Sequence, residues 1–358
     1  MIFAIILLVL LGLSLLVNFS QLAGSVVRVS GSRSVGNSRV SGPRLEETVL
    51  EDNSRPSAKI AVIDVNGVIT GSPMNQDGYS MVDVIKAQLD RAQEDNRVKA
   101  VILRVDSPGG EVLASDEISD ALKNFQTGKK SNGSDSENGK AKPVIVSMGN
   151  LAASGGYYIS APCRYIVANK MTITGSIGVI MHGFNYRGLL DKVGVAPEVY
   201  KSGKFKDMMS PTREPEEITQ EERDMMQNLI NEVYGDFKDV VKKGRGDAHE
   251  KNKSEGHALA DNWTDYADGR VLSGTEAEKL GFVDEVGNFQ TAVARAKSFG
   301  GISGDANLVQ YPERYDLSDL FHLFGESKAQ QSVKIDLGFD APKLQEGHLY
   351  FMSPILSH

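Results

Sequence analysis

Ser154 stands in the run Met148-Gly-Asn-Leu-Ala-Ala-Ser-Gly-Gly-Tyr-Tyr-Ile-Ser160, with small residues on both sides and an apolar stretch before it. A serine hydroxyl displayed in this way can attack a carbonyl, provided that a base takes its proton. Residues 143–148 predict a short buried strand and residues 152–161 a helix. Ser154 then falls near a helix N-terminus, where the dipole and free amides favour developing negative charge. The same Ala-Ser-Gly-Gly string also suits plain close packing of a helix on a sheet, which is the commoner use of such a string alone.

Two further segments bear on the choice. Arg104-Val-Asp-Ser-Pro-Gly-Gly-Glu-Val112 follows the apolar run 98–103 and precedes an amphipathic stretch at 111–125, so Pro108-Gly109-Gly110 predicts a strand-to-helix turn. Consecutive glycines let backbone approach a ligand closely, and an amide of Gly109 or Gly110 could bind an oxyanion. A phosphate cradle is the rival use, but the glycine spacing and lysine of a P-loop are absent. The second segment, residues 200–213, crowds Lys201, Lys204 and Lys206 among apolar and small residues. Lysine runs are usually solvated surface; a buried lysine, however, gives up its charge more easily and can then deprotonate a serine.

Histidine is the more common base, and His182, His249, His257, His322, His348 and His358 are the candidates. None sits in a triad motif and no G-x-S-x-G elbow occurs. Only His182, just after the apolar run 176–181, is expected near the sheet, and a lone histidine is more often structural than catalytic.

Taken together, these residues resemble the signal peptide peptidase A family of membrane-anchored serine proteases. The resemblance runs from about residue 59 to 288 and rests on five motifs in family order. They are D-S-P-G-G at 106–110, M-G-N-L-A-A-S-G-G-Y-Y at 148–158, T-G-S-I-G-V-I at 174–180, K-S-G-K-F-K-D-M-M-S-P-T-R-E at 201–214 and D-G-R-V-L-S-G-T-E-A at 268–277. It implies an α/β fold of the Clp protease/crotonase type, with repeated ββα units and a largely parallel sheet. It implies Ser154 as nucleophile, Lys206 as general base, Ser176 as the hydroxyl that orients the lysine, and an oxyanion hole from the backbone of Gly155 with Gly109 or Gly110. Without the resemblance Ser176 reads as a turn or cap serine.

An acyl-enzyme mechanism follows: Lys206, neutral, takes the Ser154 proton, returns it to the leaving amine and then activates the hydrolytic water. Activity is therefore expected at neutral to alkaline pH. The resemblance also implies remnant signal peptides and other small or unfolded polypeptides as substrates, and a homo-oligomeric ring in which neighbouring subunits complete each site. A crotonase-like acyl-CoA enzyme and a catalytically silent ring-forming membrane scaffold are the alternatives.

With 358 residues, 41% of them hydrophobic, the chain can bury one large core plus appendages. A formal net charge of -8 and the lack of a basic, aromatic-studded segment speak against nucleic acid as a partner. The single cysteine, Cys163, excludes an intrachain disulfide and reads as a buried structural thiol. No clustered metal-ligand spacing or nucleotide signature occurs, so neither metal nor cofactor is expected.

Residues 1–19 form the expected transmembrane anchor, since the first 17 carry no charge and are mostly Ile, Leu and Val. The Arg28, Arg33, Arg39 and Arg44 flank alone would hold the enzyme in the cytoplasm; the resemblance implies the extracytoplasmic face of the cell membrane. Residues 20–57, rich in Ser, Gly and Arg, read as a flexible stalk, 58–298 as the peptidase domain and 299–358 as a C-terminal tail. Alternating apolar strands and amphipathic helices from residue 59 onward predict right-handed βαβ crossovers. The polar stretch 126–142 reads as a mobile insert. Residues 219–243 predict a long helix opened by a capping box at Thr219 and Glu222. The Leu349-Tyr-Phe-Met-Ser-Pro354 end could add as a strand to a groove edge, as a peptide substrate would.

Overall fold

The computed structural model describes residues 42–53, 58–73, 78–137, 139–253, 255–314 and 349–352. The expected membrane anchor lies outside these residues, and no helix among them is long and apolar enough to cross a membrane.

A nine-stranded mixed sheet, mostly parallel, organises the described residues. Its main path runs β1 (Thr48–Glu51), β10 (Ala306–Gln310), β2 (Ala58–Asn66), β3 (Val98–Ser107), β5 (Val144–Ala153), β6 (Tyr165–Ala168) and β9 (Glu285–Val286). Off this path, β7 (Ile173–Gly175) pairs with β5 and, antiparallel, with β8 (Val271–Ser273). The other short strands, β4 (Gly109–Glu111) and β11 (Tyr350–Met352), form a separate antiparallel ribbon.

The central strands are continuous apolar runs because both faces are covered. Along β2, Ala61, Ile63 and Val65 face one core, while Ile60 and Val62 face the other, following the period of two that a strand imposes. The first core is closed by α1 (Met81–Glu94), α2 (Val112–Gln126), α3 (Gly155–Ser160) and the C-terminal part of α5 (Gln220–Asn252). The second lies under α7 (Phe289–Phe299), through Ala292, Val293 and Ala296. Between them in the chain, α4 (Arg187–Lys192) and α6 (Gly274–Lys279) are single short helices.

The capping box expected at the start of α5 is present: Thr219 accepts from the Glu222 amide, and the Glu222 carboxylate accepts from the Thr219 amide. From Val233 and Tyr234 onward this helix packs against the core, and its fully buried apolar residues begin at Phe237; farther along, the buried Arg245 guanidinium donates to the equally buried Asp284 carboxylate. The remaining part, from Glu221 to Asp236, is mostly exposed or half-exposed.

Three expectations are corrected. Thr48–Glu51, assigned to the stalk, is a strand on β10, so the folded domain starts before residue 58. Ala306–Gln310, assigned to the tail, is a parallel strand beside β2 and part of the second core. The insert 126–142 is fastened in place: the Ser131 amide and hydroxyl donate to Asp90, Gln93 donates to the Lys140 carbonyl, and the Lys142 amine donates to Ala92, Gln93 and Asp95 carbonyls at the end of α1. The polar side chains that make this segment look loose are the ones that tie it down.

Candidate active site

Strand β5 runs on to Ala153, five residues past the expected end, and Ser154 is the turn between it and α3. Its backbone is held at φ 54° and ψ -116°, a left-handed conformation that a non-glycine residue adopts only when its surroundings impose it. Those surroundings are visible: the Ser154 amide donates to the Gly175 carbonyl at 2.8 Å, and the Ser154 carbonyl accepts from Tyr158 at 2.8 Å. The side chain is fully buried, and its Oγ has no hydrogen-bond partner among the described residues. A buried hydroxyl without a partner is costly, so the site is built to receive one.

Gly155, the first residue of α3, lies against the second glycine-bearing loop. A side chain at Gly155 would come within 3.0 Å of Gly109 Cα and 3.1 Å of the Gly110 nitrogen. Gly109 itself, at φ +99°, would push a Cβ into the Gly155 nitrogen and the Phe351 carbonyl, so no other residue fits there. The Gly109 amide is already committed, donating at 3.1 Å to Ser107 Oγ, which in turn donates to the Gly67 carbonyl at 2.6 Å. Ser107 thus shapes the loop. The sequence did not single it out, although its place before Pro-Gly-Gly was a usable signal.

Ser176 is also buried and also left-handed, at φ 50°, with its amide donating to the Arg270 carbonyl. Because Ala153 pairs with Gly175, the strand register puts Ser154 and Ser176 at adjacent strand ends. The structure therefore gathers Ser154, Gly155, Gly109, Gly110 and Ser176.

Lys206 is elsewhere. It is exposed on an arm, residues 182–218, that carries α4 and buries none of that helix's side chains. Lys201 pairs with Asp207 and Lys204 with Glu221, whereas Lys206 has no carboxylate partner among the described residues. The arm bonds mainly to itself, through Arg187 to Glu214 and Tyr186 to Pro211, and is joined to the start of α5 by Arg213, which donates to Glu222 at 2.6 Å. Phe184, Leu189, Val193, Val195, Val199 and Tyr200 on it are more than half exposed. His182 is exposed as well. Cys163 is fully buried, and burial pushes its thiol up to about 12, so it has the inert character expected of it.

The described end of the chain lies on the glycine loop. Strand β11 pairs antiparallel with β4, placing Phe351 opposite Gly110 and Met352 opposite Gly109. On its other side Tyr350 exchanges backbone hydrogen bonds with Ile180. Phe351 stacks on Tyr158 at 4.8 Å between ring centroids and tilts against Phe237 at 4.7 Å. An extended segment thus sits between two edges beside Ser154, gaining backbone pairing and an aromatic pocket, which is how peptides are held by strand addition.

Comparison with known proteins points to a peptidase family. The model of peptidase family S49 matches residues 136–302. A protein of Synechocystis sp. provisionally named a protease is 39% identical over 247 residues, which is 69% of this chain and 76% of that one. A protein of Enterococcus faecium provisionally named signal peptide peptidase SppA is 38% identical, over 74% of this chain and 70% of its own. Protease 4 of Haemophilus influenzae is 33% identical, and 83% of this chain matches 45% of that longer protein. A solved structure of a mutant of the membrane-bound stomatin-specific protease 1510-N with a substrate peptide aligns with a TM-score of 0.41 at 16% identity, covering 75% of this chain and 97% of that one.

Proposed function

Because the chain belongs to peptidase family S49, we propose that it is a serine endopeptidase with Ser154 as nucleophile and Lys206 as general base, the lysine being supplied by a neighbouring copy. One observation carries this reading: the buried, strained Ser154 has an unpartnered Oγ beside glycine-loop backbone on which an extended segment is already laid. Among the described residues no base reaches that hydroxyl, and Lys206, which has no carboxylate partner among them, stands on an arm studded with exposed apolar side chains. Such a patch is expected to be covered by another molecule. A closed ring of identical copies would cover it and bring each Lys206 to the next Ser154.

In this reading Lys206 takes the Ser154 proton as Oγ attacks the peptide carbonyl. The developing oxyanion is held by the amide of Gly155 with that of Gly109 or Gly110, whose loop lies directly against Gly155. The lysine then protonates the leaving amine and activates water to release the acyl group. Ser176, one strand away, orients the lysine. The substrates are remnant signal peptides and other small or unfolded polypeptides that can enter the groove as a strand. Residues 1–19 tether the enzyme to the membrane with its catalytic part on the outer face, and the fold is of the Clp protease/crotonase type.

Fluorophosphonate labelling of the full chain tests this. Wild type should label, Ser154→Ala not at all, and Lys206→Ala at a small fraction of the wild-type rate. A folded, oligomeric wild type that takes no label would overturn the proposal. Turnover should rise from acidic to alkaline pH, and a maximum in acid would remove Lys206 as the base.

A further inference from the structure

Strand β5 changes partner partway along its length. Ile145–Met148 pair in parallel with β6, whereas Leu151–Ala153 pair with β7. Between these stretches the register against β3 slips: Val105 lies opposite Met148, but Ser107 lies opposite Ala152. Strand β5 therefore spends two residues more than β3 over this stretch, and Gly149, Asn150 and Leu151 form the jog. A straight continuation would misplace Ser154 along the strand by two residues, about 6.6 Å at the usual rise per residue. It would then reach neither Ser176 nor the glycine loop.

Two side chains hold the jog from opposite sides. Asp106 Oδ1 accepts from the Leu151 amide at 3.1 Å. Thr172, 1% exposed, donates through Oγ1 to the Gly149 carbonyl at 2.7 Å and accepts from the Asn169 amide at 3.0 Å. The fit around Asp106 is close, since a Cβ at Gly149 would stand 3.1 Å from its carboxylate. Beyond the jog, Thr174 Oγ1 donates to the Ala152 carbonyl at 2.7 Å, and the Ser154 amide reaches Gly175. Asp106 also opens the Asp-Ser-Pro-Gly-Gly loop, so its carboxylate is a direct link between the loop and the strand that delivers the serine.

We infer that Asp106 and Thr172 are positioning residues that clamp the Gly149–Leu151 jog of β5 and so set Ser154 in register with Ser176 and the Gly109–Gly110 loop. The inference rests on the reading of Ser154 as nucleophile. Neither residue touches the reacting atoms. Each satisfies a backbone group that the irregular strand would otherwise leave without a partner.

The test compares Asp106→Ala and Thr172→Val, which remove the clamping atoms, with Asp106→Asn and Thr172→Ser, which keep them. Each variant is made in the full chain and followed by phosphonylation rate at Ser154, kcat, KM and Tm. The truncating variants should lose on the order of 10–100-fold in phosphonylation rate and kcat, as expected for misplacement by about an ångström. KM should change little, and the conservative variants should stay near wild type. Truncations that label at the wild-type rate would overturn the inference, as would conservative variants that fall as far. If the truncations do not fold, Asp106→Asn against Asp106→Gln carries the test: equal rates overturn it, and a drop confined to Gln supports it. A wild type that takes no label sinks the nucleophile reading and this inference with it, whereas a labelling wild type with indifferent variants sinks the inference alone.

Discussion

The two halves of the proposed dyad live in opposite surroundings. Ser154 is at the end of a central strand, fully buried, with its backbone bonded to Gly175 and Tyr158, the neighbouring glycine loop locked by Ser107 and its own strand held by Asp106. Lys206 is exposed on an arm whose helix buries nothing and whose apolar side chains face outward. A nucleophile must be held in a strained, desolvated geometry, which a packed sheet supplies. A base kept on a surface arm is inactive until something covers that arm. The difference teaches that the fold of one chain makes the serine, and assembly would make the catalyst.

The sharpest way to break that comparison is to separate the two residues genetically. Ser154→Ala and Lys206→Ala should each lower kcat by about 10⁴–10⁶-fold, the range for loss of a nucleophile or its base, with Tm unchanged for the exposed lysine. Mixed after dissociation and reassembly, the two inactive variants should recover activity, because roughly a quarter of sites would join an intact serine to an intact lysine from the next copy. No recovery in mixed assemblies would show that both residues of a site come from one chain.

The arm should respond next. Tyr200→Asp or Phe184→Asp places a charge where the side chain is now 87% or 77% exposed, so the isolated fold should be indifferent to it. If these residues meet another copy, sedimentation should show smaller species and dilute activity should fall on the order of 10–100-fold. Unchanged assembly would mean that the apolar arm serves another partner.

The tail is expected to act in the opposite direction. Strand β11 occupies the edge that a substrate strand would use, with Phe351 buried against Tyr158 and Phe237. An occupant that fills the groove nine-tenths of the time reduces apparent substrate affinity about tenfold. Deleting the residues after Pro342 should therefore raise kcat/KM several-fold at low substrate. Unchanged turnover would show that the tail leaves the groove readily or that substrates bind elsewhere.

Much of the serine's half was legible in the sequence, because its constraints are local. Small residues around Ser154 and Gly109 follow from close backbone approach, and the Thr219 and Glu222 spacing followed from the geometry of a helix start. What escaped was long-range. Thr48–Glu51 is an exposed edge strand with no alternating pattern, and Ala306–Gln310 reads as tail until its partner, β2, is known. The polar stretch 126–142 looks loose because its fastenings, Asp90 and Gln93, lie on another helix. The clamp at Asp106 needs the register slip of β5 to become visible. No single-chain pattern can place Lys206 against Ser154 if the contact is between copies.

Cys163 gives the mildest test, and it probes the buried half of the comparison from behind. Its side chain is 0% exposed, its Sγ donates to the Ile159 carbonyl at 3.5 Å, and burial raises the thiol to about 12 against the opposing pull of Arg245. The thiolate is the reactive form, so at pH 8 the native protein should resist alkylation and react only once unfolded. Because Cys163 lies just beyond α3 and its carbonyl accepts from Arg245, it reports whether the support behind Ser154 opens. If the rate of thiol modification matches global unfolding, the nucleophile's scaffold is rigid. If modification outruns unfolding while Ser154 still labels, the scaffold breathes, and the contrast between a rigid serine and a loose lysine is weaker than the burial pattern indicates.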